Sequence, residues 1–459
     1  MKRVIFWTVI FLTTGSLAGT AGATNGYQLI GVGQIQKSMG GAVTAAPMDT
    51  MTAISNPAGM ARVGERADFS MEAFMPIRSV DFSGFGGGKT AGGSELYGIP
   101  SVGWVAKAFS REDIYFGGGM FATSGLGVDY GESLMMPGAA LGLPEDVTFD
   151  GYSGIQFWKM APTVAWNVNK VLSLGVSLNL DYTSITLRQS IRNVPFWNDP
   201  TDTSAGMTQM DVNFDLGRPT NQMGVGAGVG ALYDLNDRVT LGASYSSKQY
   251  FGDSEYRVGT NDILRFNGAV GLPGTYKMDL DYPQQAALGM ALHLNDTFLI
   301  DFDVKWIDWS STHNKVSFKG PANSFDSDGN GSGDSNATQL DFGWKDQYVF
   351  ALGGQYHATD RLAIRAGFNY AKAPIDEADV FNNLIFPACV EKHATVGFDY
   401  QLGDHWGIGM AYKKAFKKTI TGKGDVPQGF DAATPFSADS GIKTSLKESS
   451  AGLLLSYRF

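Results

Sequence analysis

Three stretches of this 459-residue sequence carry side chains whose types and spacing would support chemistry or binding. Asp326, Asp328, Asn330 and Asp334 sit around Gly331 at the spacing of a calcium loop, where oxygen ligands recur at alternate positions and a glycine makes the turn. Position twelve of that pattern is Ala337, so the bidentate carboxylate is missing, and a solvated acidic loop competes with a calcium site. No other cofactor motif is present. Leu134, Met135, Met136, Leu141 and Leu143 form an apolar run in a region that should be a polar outer loop. Exposed apolar surface of that size marks binding sites, and methionine adapts to varied shapes, so these five are candidates for capturing an apolar ligand. A loop tucked inward is the competing reading. Asn56-Pro57-Ala58-Gly59 closes a glycine-rich segment with a sequence that breaks helices and starts turns. The five histidines, His293, His313, His357, His393 and His405, include none with a serine partner worth naming, and no catalytic residue is assigned.

The elements that must position these residues are strands. Residues 1–23 have Lys2 and Arg3, an apolar run and small residues ending Ala21-Gly22-Ala23, the pattern of a cleaved signal peptide. No later stretch is long and apolar enough for a membrane helix. From Ala67 onward the chain alternates: Leu172, Leu174, Val176, Leu178, Leu180 and Tyr182 fall on one side, Ser173, Gly175, Ser177, Asn179 and Asp181 on the other. Short connections alternate strictly with long ones, the latter at roughly 83–99, 127–157, 190–221, 250–274, 318–338, 374–389 and 419–441. Fourteen strands with that rhythm predict an all-β fold, a transmembrane antiparallel β-barrel over residues 63–459 with short turns in the periplasm. Trp166, Tyr233, Tyr356, Tyr400 and Trp406 lie near the short turns as an aromatic girdle. Residues 24–62 resemble neither strand nor regular helix and read as a plug inside the barrel.

With those residues in place, the chain resembles the FadL-type outer-membrane transporters of long-chain fatty acids and hydrophobic hydrocarbons. The likeness rests on Gly26-Tyr27-Gln28-Leu29, on Asn56-Pro57-Ala58 as the hatch motif, and on the pair Tyr348–Tyr356 and Leu362–Pro374. Phe459 resembles the terminal aromatic read by barrel-insertion machinery. The resemblance implies capture in an outer groove, binding in the lumen and sideways exit where the third strand kinks. Gly117, Gly118, Gly119, Ser124, Gly125 and Gly127 would form that kink, glycine being tolerant of bulges, or would pack against the plug instead. It also implies a cation for a ligand carboxylate just after the fifth strand, where Arg188 is the first basic residue; without it the ligand would be an uncharged hydrocarbon. A plug that yields to ligand calls for a bistable segment held by few contacts, and the turn at Asn56-Pro57 can hold it against the wall in one arrangement, with Asn56 serving the backbone groups that the turn exposes.

Composition narrows the alternatives. A net charge of -10 and only 17% charged residues exclude nucleic acid as a partner, and the single Cys389 excludes an internal disulfide. The expected partners are a hydrophobic small molecule, outer-membrane lipid and lipopolysaccharide, around a monomer. A lipid-modifying barrel enzyme and an open diffusion porin are the competing functions; the glycine-rich plug and the apolar loop oppose the porin.

Overall fold

Period-two alternation builds the wall. A computed structural model describes residues 25–93, 96–109, 111–258, 265–266, 269–270, 273–325 and 335–459; the signal peptide and the calcium-loop residues Asp326, Asp328, Asn330 and Asp334 lie outside them. Fourteen antiparallel strands close into a barrel. They are β1 (Arg66–Asp81), β2 (Tyr97–Lys107), β3 (Ile114–Met136), β4 (Val147–Met160, resuming as Thr163–Asn167), β5 (Leu172–Trp197), β6 (Met207–Asn236) and β7 (Val239–Ser246). The second half comprises β8 (Gln285–Asn295), β9 (Phe298–Ile307), β10 (Gln347–Thr359), β11 (Leu362–Ala371), β12 (Lys392–Leu402), β13 (Trp406–Thr421) and β14 (Lys443–Arg458). Closure is made by β1 against β14, in register from Arg66↔Arg458 to Asp81↔Lys443.

Side chains sort by parity along each strand. On β1, Phe69, Met71 and Ile77 face out while Arg66, Asp68, Ser70, Glu72 and Arg78 are buried toward the lumen. Phe74 breaks the polar series: parity places it inside, where the Lys413 ammonium of β13 lies over its ring, 4.7 Å from the centroid. On β5 the residues Leu174, Val176 and Leu178 are exposed to lipid, and Ser173, Ser177, Asn179 and Asp181 are inside. Trp166, Tyr233, Tyr356, Tyr400 and Trp406 all lie on the outer face beside short turns.

Two regions differ from the expected loops. Strands β3, β5 and β6 run for 23, 26 and 30 residues, far beyond the roughly 9–11 needed to cross a bilayer. Residues 127–157 and 190–221 are therefore mostly paired strand continuing past the membrane, because the ladder neighbours keep supplying backbone partners. The connections after β7 and β9 also carry structure of their own, a four-stranded sheet of Ser254–Val258, Gly274–Asp279, Lys315–Lys319 and Ala337–Asp341.

Inside the wall sit α1 (Gln34–Ser38), α2 (Thr52–Ser55) and a 3-10 turn, Pro57–Ala61. The plug's glycines limit these helices to one or two turns, and nearly every residue from Asn25 to Ala61 is shielded from solvent.

The lipid-facing assignment is testable at Leu178, near the middle of its transmembrane span. Leu178→Arg should lower folding stability in lipid vesicles by roughly 2–4 kcal/mol, the cost of a cation at the bilayer midplane. A urea titration giving wild-type stability for this variant would contradict the orientation of β5.

Candidate functional site

The plug touches the wall where the wall has no side chains. A Cβ added at Gly175 of β5 would lie 2.3 Å from the Ala58 amide nitrogen, and one at Gly230 of β6 would lie 2.0 Å from Asn56 Oδ1. Gly242, Gly289, Gly353, Gly367, Gly397 and Gly452, on β7, β8, β10, β11, β12 and β14, meet plug atoms in the same way. Polar groups then fix its position. The Asp303 carboxylate accepts from Val43 N at 2.8 Å, Thr44 N at 2.9 Å and Thr44 Oγ1 at 2.7 Å. Asp68 accepts from Thr50 N, Asn369 donates to Gly40 O, Thr395 donates to Ser38 O, and Lys37 is ion-paired with Glu72.

The hatch motif belongs to this anchorage. Asn56 Nδ2 donates to Thr44 O at 2.7 Å and to Ala231 O of β6 at 3.2 Å, while its Oδ1 caps the following turn by accepting from Ala58 N at 3.2 Å. Pro57 opens that turn at a position where its missing N–H has no cost. Asn56, Pro57, Ala58 and Gly59 are fully or nearly fully buried. The turn thus lies against the wall at Gly175 and Gly230 with Asn56 bonded to plug and wall backbone, and it is held by more contacts than the few expected of a yielding segment.

The strand β3 departs from regular pairing at three places, and the first of them, at Thr123, coincides with the end of its pairing with β2. Its ladder with β2 runs from Lys107↔Tyr115 to Ser101↔Phe121 and stops there. On the other side, the pairing with β4 slips between Ala122 and Ser124, so Thr123 is an extra residue. The freed backbone is taken up by the plug: Leu29 N donates to Thr123 O at 3.0 Å and Gly125 N donates to Tyr27 O at 3.1 Å. Farther out, the Arg78 guanidinium donates to Gly127 O and, at 3.0 Å, to Tyr97 OH. Ser124, Gly125 and Gly127 thus lie at the break. Gly117, Gly118 and Gly119 do not: they pair with Val105, Trp104 and Gly103 below it. Gly118 has φ +146 and meets Ala161 O, where β4 is interrupted, while Gly117 packs against Met60 of the plug, so close approach explains their type.

Tyr27 connects the break to the outer loops. Its ring lies 4.7 Å from Trp309, 5.2 Å from His313, 5.6 Å from Phe157 and 5.7 Å from Trp344, centroid to centroid. Its hydroxyl is 2.6 Å from His313 Nε2, on the short helix Ser310–His313. Burial pushes that imidazole down to about 3, so it is neutral at physiological pH. Ser124 Oγ and Tyr282 OH are hydrogen-bonded at 2.6 Å beside the same rings. Sequence reasoning missed this cage, since its members are scattered over five segments; only Tyr27, inside the quoted Gly26–Leu29 motif, offered a signal.

The outer apolar run is placed differently from an exposed groove. Leu134, Met135 and Met136 belong to the outer end of β3, where Gly88 N donates to Leu134 O. Met135 and Met136 are buried in the main apolar cluster and so present no exposed groove, while Leu141 and Leu143 are half-buried. Nearby loops meet through rings: Phe85 stacks on Phe436 at 4.7 Å, and Phe430 contacts Phe436, Phe381 and Phe196.

Arg188 does not reach the lumen, contrary to the expected carboxylate contact. Parity on β5 turns Leu187 inward and Arg188 outward, where it is ion-paired with Asp150 at 3.0 Å. The lumen instead holds Lys159, paired with Asp181 at 3.4 Å, and Lys305, which donates to Gln28 Oε1 at 3.2 Å. Both lysines line one cavity with Tyr282, Gln285 and the plug. Cys389 is buried and its thiol is pushed up to about 12 by desolvation, which leaves it inert.

A closed barrel stopped by an internal hatch, crossing lipid with strands alone, is the architecture of a plugged outer-membrane transport protein. The chain belongs to the outer membrane protein transport protein family (OMPP1/FadL/TodX), whose family model matches residues 14–459. It is therefore an outer-membrane protein of a transport family, not of an enzyme family. The fold is similar to the Pseudomonas putida toluene transporter TodX (TM-score 0.68, 21% identity, 94% of this chain and 99% of that one). It is also similar to the Ralstonia pickettii toluene transporter TbuX (TM-score 0.65, 19%, 94% and 99%) and to a Pseudomonas aeruginosa FadL homologue (TM-score 0.69, 17%, 94% and 99%). A Pasteurella multocida 47 kDa outer membrane protein is 25% identical over 218 residues, 44% of this chain and 46% of that relative, so the match spans about half of the relative's length.

Removing the Asn56 amide should loosen the plug without disturbing the wall. Asn56→Ala strands the Thr44 and Ala231 carbonyls and uncaps the turn, so protection of plug amides against hydrogen exchange should fall by about 1–3 kcal/mol while heat-modifiable migration persists. Gly175→Val, which cannot seat Ala58, should let the barrel admit small sugars in a liposome-swelling assay; a wild-type response would show that the plug docks by another face.

Proposed function

We propose that this protein carries hydrophobic compounds across the outer leaflet barrier by a route that avoids water, from the outer loops into the barrel and out sideways between β2 and β3. The observation that carries the reading is the break at Thr123–Gly125, where wall backbone bonds to the plug and not to the neighbouring strand. Backbone groups facing lipid must be paired, so a stretch that stays paired with β4 on one side but on its β2 side bonds only to a displaceable segment is the part of the wall that can open at least expense. The cavity lined by Leu29, Ile30, Val43, Ile54 and Tyr282, beside the packed rings of Tyr27, Phe157 and Trp309, offers an apolar ligand its contacts. Burying each methylene there is worth roughly 0.8 kcal/mol, so a ligand that prefers the opened plug supplies several kcal/mol toward it.

For substrate, an uncharged hydrocarbon such as a monoaromatic compound is in keeping with the similarity of the fold to the toluene transporters TodX and TbuX. Fatty acids are the second reading, favoured by Lys305, a lumenal ammonium that has no carboxylate within ion-pair distance among the described residues. Binding of toluene and oleate to wild type and Lys305→Met separates the two. Loss of oleate binding alone identifies a carboxylate ligand, and unchanged oleate binding removes Lys305 from that role.

Deleting Thr123 removes the extra residue that offsets β3 from β4. The barrel should still assemble at normal surface amounts, with ligand bound but uptake lowered about tenfold or more as regular pairing closes the side opening. Normal uptake in that variant would place the exit elsewhere.

A further inference from the structure

At the end of the barrel opposite the capture loops, six neighbouring strands line one cavity of about 210 Å3, five of them with polar side chains. Its lining includes Arg66 of β1, Arg365 of β11, Asp399 and Gln401 of β12 and Arg458 of β14, while Ile35 and Met48 of the plug close its inner side. Three guanidiniums thus share the space with one carboxylate.

The donors are unevenly used. Arg66 spends Nε and Nη2 on Asp68, at 3.1 and 2.7 Å, and Nη1 on Met48 O at 2.9 Å. Arg365 is ion-paired with Asp399 and donates from Nε to Gln355 Oε1 at 2.6 Å. With each of those arginines matched to a carboxylate, Arg458 is the surplus charge, and it has no side-chain hydrogen bond or ion pair among the described residues. Gln401 Nε2 is shielded from solvent and likewise has no partner among the described residues. A buried amide donor without an acceptor costs about 1–3 kcal/mol, and a guanidinium fork beside it matches the geometry of an oxyanion.

We propose that this periplasmic vestibule is an anion site, in which Arg458 and the Gln401 amide, backed by the field of Arg365 and Arg66, hold a carboxylate or phosphate group. The cavity admits a small oxyanion or the head of a larger one, and it opens to the periplasm, so its ligand arrives from that side. The site is independent of the uptake route, since its occupancy is measured without any transport step.

The test is calorimetric titration of the full-length protein in detergent with inorganic phosphate and, separately, with hexanoate, in chloride-matched buffer. Either anion should bind saturably, near one per barrel; preference for phosphate names a phosphate source, and preference for hexanoate names a carboxylate. Arg458→Gln removes an exposed side chain and should weaken binding about tenfold or more, with partial recovery in Arg458→Lys, because a bidentate charged contact is lost and a point charge restored. Arg188→Gln, on the outer face, should bind like wild type. No saturable binding of either anion, or equal affinity in wild type and Arg458→Gln, overturns the proposal.

Discussion

Hydrocarbon around the wall offers no hydrogen bonds, and that single constraint organises the molecule. It forces β1 to pair with β14 along its whole length, so that no strand edge is left over. It also decides what a lateral opening can look like. A plain gap at Thr123–Gly125 would leave wall amides and carbonyls facing lipid or a dry lumen without partners, at a cost of several kcal/mol each. The plug removes that cost by presenting Tyr27 O and Leu29 N where β2 no longer reaches. In this arrangement the plug is at once a stopper for the lumen and a missing piece of the wall.

A plug that fills both roles has to be fixed in register, and the means are steric before they are polar. Bare positions at Gly175, Gly230, Gly242, Gly353 and Gly367 let plug backbone come closer to wall backbone than any side chain would allow. Close approach puts the Asp303 carboxylate within reach of two consecutive plug amides, and Asn56 within reach of a β6 carbonyl. These bonds are strengthened because Asp303, Thr44 and Asn56 are shielded from bulk solvent, where the effective dielectric is low. The glycines and the polar anchors therefore depend on one another.

Much of this was legible in the sequence. Parity along Ala67–Ile77 and Leu172–Tyr182 separates lipid face from lumen correctly, since a half-buried strand leaves a period-two record that survives without any structure. Asn56-Pro57-Ala58 could be picked out as a turn because proline and asparagine act locally. What could not be read depends on partners far along the chain. The length of β5 and β6 beyond the membrane is set by mutual pairing, and the burial of Met135 by packing in an apolar cluster drawn from distant parts of the chain. The glycine run Gly117–Gly119 looked like the kink, but glycine marks close approach as readily as a bulge, and the offset lies at Thr123, a residue with no special backbone signature.

Arg188 shows how sharply parity decides function in such a wall. One position along β5 separates Leu187, inside, from Arg188, outside, and a one-residue slip would exchange them. The continuous pairing of β5 with β4 from Thr148↔Arg192 to Met160↔Leu180 leaves no slip on that side to bring the guanidinium in. Lumenal charge must then come from residues whose own strands turn them inward, and Lys159 and Lys305 meet that condition on β4 and β9. Lys159 is already matched by Asp181, which leaves Lys305, tied to Gln28 of the plug, as the ammonium whose surroundings change when the plug moves. A ligand that displaces Gln28 would therefore release a cation inside the lumen at the same moment that it loosens the segment bonded to the β3 break.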